Sequence, residues 1–365
     1  MKIYIITLPF HANYGGILQN YALQFVLRNE GHEVYTINKS AHLKIEWHKK
    51  IFVYSYRLIR NLITSKKCSV FFEKEYNKKL DCDTRMIRSF VEKHINAIHV
   101  YKHAQISYDC DCIIVGSDQV WRAAYFKPIE DAFLSFVKNR NIKRISYAAS
   151  FGGPTIDYKK SEIKRCKKLI KLFDSVSVRE QEGVTICKNI FGIDANCVLD
   201  PTMLLTRDKY EKLIPQNNNI QNYGYILVYI LDMNDEKKMC INRFADEKHL
   251  QVKDICGTYS NSNKVSIEEW LQGFLNAAYV ITDSFHAGVF SIIMNTKFII
   301  FNNENRGTSR FETLLNLFHL DDRLICENYE INEIIDKDIN WNNVNPILES
   351  ERRNLLDYLL HSINM

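Results

Sequence analysis

Four short clusters in this chain combine the residue types that proton transfer and anion binding require. Thr282-Asp283-Ser284-Phe285-His286-Ala287-Gly288 opens a predicted helix after an apolar run. Its imidazole titrates near neutral pH and can donate a proton, and the helix N–H groups around it favour an anion. Gly116-Ser117-Asp118-Gln119-Val120-Trp121 brings three hydrogen-bonding side chains and an indole together, a natural sugar-hydroxyl site in which Asp118 would be the general base. Ser177-Val178-Arg179-Glu180 sets an arginine at a strand end, suited to bidentate recognition of carboxylate or phosphate. Asn13-Tyr14-Gly15-Gly16, with Gln19 and Asn20, is a glycine turn ahead of a helix that lets backbone approach a ligand. It is neither a dinucleotide nor a P-loop fingerprint, so NAD and ATP are not indicated. A basic loop, Arg306-Gly307-Thr308-Ser309-Arg310, follows and could close over an anion. Each cluster also has a purely structural reading: a bare turn, a helix cap, an ion pair, a core histidine.

The elements around these clusters alternate between strand and helix. Ile3–Leu8 reads as a buried strand, Ile17–Asn29 as a helix with Leu18, Ala22, Phe25 and Val26 on one stripe, and Glu33–Ile37 as the next strand. Further strands are expected at 112–116, 144–150 and 175–179. A second α/β set follows, with strands at 225–231, 252–256, 279–282 and 298–301 and helices at 236–248, 267–277, 287–294 and 310–317. Pro201 would interrupt a central strand, so 198–205 reads as the crossing between the two sets, and Gln216–Asn222 as a loop. The expected architecture is α/β, two Rossmann-like domains (1–200 and 201–345) facing a cleft, with a final helix from 346 returning to the first. All four clusters then fall where a doubly wound sheet binds its ligands, at the carboxyl ends of strands.

Residues 39–79 break the rhythm. They hold eleven Lys/Arg against three Glu, interleaved with Trp47, Ile51, Phe52, Tyr54, Tyr56, Leu58, Ile59, Leu62 and Ile63. A solvated helical hairpin over the first domain and an amphipathic segment lying on an anionic membrane both fit that pattern.

Composition excludes several classes. A net charge of +5 on 365 residues does not argue for nucleic acid, and no stretch approaches the ~20 apolar residues of a membrane span. Ten scattered cysteines without a CxxC pair, and no secretory pattern at the N-terminus, point to reduced thiols, no zinc site and a cytoplasmic protein.

Taken together, the clusters resemble the polysaccharide pyruvyltransferase family. The matching pieces are Asn13 to Leu23, Gly116 to Trp121, Ser146 to Gly152, Ser177 to Glu180, Val198 to Thr202 and Thr282 to Ala287, in the family's order. The resemblance implies a GT-B-like fold, phosphoenolpyruvate as donor and a sugar acceptor, often lipid-linked or part of a surface polymer such as capsule. It also implies that Arg179 and His286, with Phe285 beside the latter, bind the donor. On this basis His286 is the expected acid and Asp118 the base. Arg179 and Arg310 form an anion clamp with Ser284 beside them, while Asn13, Tyr14, Gly15, Gly16, Gln19, Ser117, Gln119 and Trp121 face the acceptor. Neither a metal nor another cofactor is required. Two rival expectations are a GT-B glycosyltransferase using a sugar nucleotide and a non-catalytic glycan-binding relative.

Overall fold

Ile3-Tyr4-Ile5-Ile6 and Cys112-Ile113-Ile114-Val115 are buried on both strand faces, which only a parallel sheet covered by helices on each side accommodates. The computed structural model describes residues 1–11, 13–65, 67–105, 109–139, 141–215, 224–260, 264–303, 307–326 and 331–365. The chain runs β1 (Lys2–Ile6), α1 (Tyr14–Asn29), β2 (Glu33–Lys39), α2 (Trp47–Ile63), α3 (Phe72–His94), β3 (Ala97–Val100) and β4 (Cys112–Val115). It continues through β5 (Lys143–Ala149), α4 (Lys160–Ile170), β6 (Ser175–Val178), α5 (Gln181–Ile186) and β7 (Asn196–Cys197). The second half holds α6 (Arg207–Glu211), β8 (Tyr225–Tyr229), α7 (Asp235–Lys248), β9 (Gln251–Asp254), α8 (Ile267–Asn276) and β10 (Tyr279–Thr282). Last come α9 (Phe285–Met294), β11 (Lys297–Phe301), α10 (Ser309–Phe318), β12 (Leu324–Ile325), α11 (Asn332–Ile335) and α12 (Trp341–Asn364).

Two parallel sheets result. The first has the order β3-β2-β1-β4-β5-β6-β7 and the second β12-β11-β10-β8-β9. In each, the chain departs to one side and then the other of a central strand, so the strand order reverses between β1 and β4 and between β8 and β10. Loops leave those two pairs in opposite directions and open a crevice beyond the carboxyl ends. The loops after β1 and β4 carry Asn13 and Asp118, that after β8 carries Leu231, and His286 follows β10 in the first turn of α9.

The two sheets share one core. Tyr14 of the first half stacks on Trp270 of the second (5.6 Å, 8°), meets Tyr229 edge-on at 6.0 Å and donates its hydroxyl to the Val265 carbonyl at 2.8 Å. Burying one such side chain is worth roughly 1.5–3 kcal/mol. From the other end, α12 returns to the first sheet: Tyr147 donates to the Leu355 carbonyl, Lys143 to the Ile363 carbonyl, and Ser175 bonds the hydroxyls of Tyr358 and Ser362.

Three local readings gain detail. Helix α1 begins at Tyr14 rather than Ile17, because the Asn13 side chain accepts the Gly16 N–H and caps it, drawing both glycines into the first turn. The 198–205 segment is a short 3-10 turn, Pro201–Leu204, capped by Asp200 and following the edge strand β7. Residues 39–79 enter a helical hairpin, α2 and α3, whose second arm runs on to His94. The loop expected at Gln216–Asn222 lies outside the described residues, as does Arg306.

Candidate active site

Asp200 is the hub of the buried side of the crevice. Its Oδ2 accepts from Arg179 Nη1 at 2.8 Å and from Ser117 Oγ at 3.2 Å, and lies 3.4 Å from His286 Nε2. Its Oδ1 accepts the backbone and side-chain donors of Thr202. Arg179 reaches Asp118 Oδ1 at 3.5 Å with its other nitrogen, and Asn13 Nδ2 donates to Asp118 Oδ2 at 2.9 Å. Asp118 adopts a left-handed backbone (φ 69°), a costly conformation for a side chain other than glycine. It is pinned there because its carbonyl accepts the N–H groups of Val120 and Ser150. Strain of this kind is kept where a side chain must be aimed.

The ring of Phe285 lies between two cations, 4.6 Å from the Arg179 guanidinium and 5.5 Å from that of Arg310. Each gains attraction from the ring. Glu180 sits behind them, fully buried, accepting from Ser150 Oγ at 2.7 Å and the Phe151 N–H.

Burial works against every charge here, and the neighbours decide the outcome. Burial alone would raise Asp200 and Asp118, but the positive charges of His286 and Arg179, with Arg310 acting on Asp118, hold both carboxyls below the usual range. Glu180 lacks enough such help, and burial raises it. Burial, then the adjacent Arg179, bring Arg310 down to about 10. Arg179, Arg310 and the His286 imidazole thus face two firmly ionised carboxylates.

The crevice encloses about 550 Å³. Asn13, Asp118 and Gln119 form one wall, and Ser284, Phe285, His286 and Arg310 the other. The N-terminus of α9 opens on it, so its first N–H groups add to the anion-binding field. Of the five residues expected to bind the donor, four line this second wall, while Arg179 is 2% exposed beside Phe285.

The acceptor assignments divide. Asn13 and Gln119 line the crevice. Trp121 does not: it is 0% exposed, stacks on Phe133 and donates its indole N–H to the Ala132 carbonyl. Tyr14 is spent on the joint between the halves. Gln19 is buried beneath α1, donating to Thr7 Oγ1 and the Gly16 carbonyl, and Ser117 is buried against Asp200. These four are packed into the wall and do not line the crevice. In the sequence Asp200 stood only within the Val198 to Thr202 piece of the family resemblance and the expected crossing at 198–205. No sequence signal singles out Tyr76 and Leu80 of α3, or Tyr125, which also border the crevice.

Gly15 and Gly16 serve close approach. A Cβ on Gly15 would stand 2.0 Å from His286 Cγ and 2.1 Å from Nδ1, so only glycine lets α1 meet the imidazole. A Cβ on Gly16 would stand 2.9 Å from Asn13 Nδ2. We expect Gly15→Ala to displace His286 and cost about 1–3 kcal/mol by overpacking. Urea unfolding measures the cost; a change under about 0.5 kcal/mol would mean that the two halves separate without penalty.

Two parallel-sheet domains facing across such a crevice define a GT-B fold. Solved structures agree. UDP-N-acetylglucosamine 2-epimerase from Rickettsia bellii superposes with TM-score 0.51 at 10% identity, covering 100% of this chain and 97% of that one. The UDP-GlcNAc 2-epimerase of Methanocaldococcus jannaschii gives 0.51 at 14% identity, covering 98% and 100%. At such identities the likeness is one of fold. No curated protein matches the chain in sequence. A model of the family described as polysaccharide pyruvyl transferase matches residues 13–305, and the chain belongs to that family.

Proposed function

We propose that this transferase moves pyruvate from phosphoenolpyruvate onto two hydroxyls of a sugar as a ketal, during synthesis of a surface polysaccharide on a lipid-linked intermediate. The observation that carries the reading is the pairing of walls. Arg310, His286 and the α9 N-terminus offer a trianionic donor its counter-charges, and Asp118 stands across the crevice as a hydroxyl's proton acceptor.

His286 gives a proton to the donor methylene, leaving C2 oxocarbenium-like. A sugar hydroxyl adds at C2 as its proton passes to Asp118. The C2–O bond to phosphate breaks as the departing phosphate takes the proton held by Asp118, and the neighbouring hydroxyl adds at C2 to close the ketal, its proton returning to His286. Arg310, and Arg179 through Phe285, offset charge on carboxylate and phosphate, while Asp200 holds the His286 ring. The scheme requires no metal or further cofactor.

A ligand bound only by the folded protein raises its stability, by about 2.7 kcal/mol at a hundredfold excess over Kd. Millimolar phosphoenolpyruvate is therefore expected to raise the melting temperature of the wild type and to do so far less in Arg310→Ala. A shift with a sugar nucleotide and none with phosphoenolpyruvate would turn the assignment to glycosyl transfer.

A further inference from the structure

Helix α2 is folded inside out. Its half-buried residues are Val53, Tyr54, Arg57 and Asn61, and none is fully buried. They fasten it to the start of α3: Arg57 forms a two-pronged ion pair with Glu73 at 2.6 and 2.7 Å, Tyr54 meets Phe71 at 5.1 Å, and Asn61 exchanges hydrogen bonds with Cys68. The opposite arc, about half the helix circumference at 100° per residue, carries Trp47, Ile51, Phe52, Ile59, Leu62 and Ile63. Trp47 is 81% and Leu62 87% exposed. A helix in a water-soluble protein buries its apolar stripe, so this one has a partner in the other direction.

Charge identifies that partner. Helix α2 has Lys49, Lys50, Arg57 and Arg60 and no acidic residue. Residues 39–79 carry +8 of a chain whose net charge is +5, so the remaining residues sum to −3. At 100° per residue Lys49 and Arg60 flank the apolar arc on one side and Lys50 on the other, while Arg57 is taken by Glu73. At 17 residues α2 is about 25 Å long and interrupted by charges, and among the described residues no helix is apolar enough to span a bilayer.

We infer that α2 lies in the plane of an anionic membrane, its apolar arc in the headgroup–acyl boundary and Lys49, Lys50 and Arg60 on acidic lipid. The hairpin links this surface to the crevice. Phe71 and Phe72, both exposed, stand one turn before Tyr76, which with Leu80 borders the reaction space. The crevice mouth is thereby held near the membrane, where the sugar of a lipid-linked acceptor is presented. That last role rests on the function proposed above; membrane binding does not.

The full chain is mixed with vesicles of phosphatidylcholine alone, or with roughly a third phosphatidylglycerol. Binding is followed by flotation and by Trp47 emission, with Trp47→Phe as the control. The expected result is flotation and a blue shift with the anionic vesicles only, weakened by salt. Lys49→Glu/Lys50→Glu/Arg60→Glu and Ile51→Asp/Leu62→Asp should each lose about tenfold or more in binding. These side chains are exposed, so folding is preserved; the same variants should keep the thermal shift with phosphoenolpyruvate, which tests the donor separately. No binding to anionic vesicles overturns the inference. So does sedimentation showing a dimer that Ile51→Asp/Leu62→Asp dissociates, for the arc would then belong to a second copy.

Discussion

Asp200→Ala is expected to destabilise the protein by about 3–5 kcal/mol, the cost of leaving buried cations without their counter-ion. Arg179 is 2% exposed and His286 6%, so neither can turn to water when the carboxylate goes. Ser117 and Thr202 lose an acceptor at the same time. In a thermal scan this is a fall of roughly 4–7 °C, at about 1.3 °C per kcal/mol for a chain of 365 residues. A loss under about 1 kcal/mol would mean that Asp200 is not the hub. The pH dependence gives a second reading. Asp200 ionises more readily folded than unfolded, so its contribution is whole above about pH 4 and is lost as pH falls below that value. Asp200→Asn removes that titration, and its stability should fall less steeply on acidification than the wild type's.

His286→Ala should lower turnover by about a hundred- to ten-thousandfold, the usual contribution of a positioned proton donor. Phosphate release from phosphoenolpyruvate in the presence of acceptor measures it. The ring is aimed by Asp200 on one side and admitted by Gly15 on the other, so His286→Gln, similar in reach but unable to donate at neutral pH, should be as slow as alanine. Wild-type turnover in either variant removes His286 from the acid role. Affinity for phosphoenolpyruvate, read from the thermal shift, should fall much less than turnover, since Arg310 and the α9 N-terminus remain.

The two effects differ because the residues sit at different depths, and depth was the part least visible in the sequence. Trp121 and Asp118 lie three residues apart in one cluster, and both looked like ligand residues. One faces the crevice and the other anchors the wall, because Trp121 turns its indole to the Ala132 carbonyl under the 129–133 turn. Tyr14 and Asn13 are adjacent, yet Asn13 contacts Asp118 while Tyr14 reaches Val265, 251 residues later. Nothing local encodes a partner that far along the chain.

Local physics did determine the frame. Apolar runs bounded by turns specify buried parallel strands, and small or polar residues at their carboxyl ends can belong only where backbone ends and ligand space begins. From this the two Rossmann-like halves, the cleft and the clusters beside it follow, because strand and helix periods are properties of the chain itself. Burial and charge pairing are not. Asp200 became the hub because β7 leads into a turn that sets its carboxylate among Arg179 and Ser117, from two other loops, and His286 of α9. Helix α2 shows the same division from the surface. Its amphipathic pattern was plain in the sequence, but only the tertiary contacts of Arg57, Tyr54 and Asn61 decided which face would be turned outward.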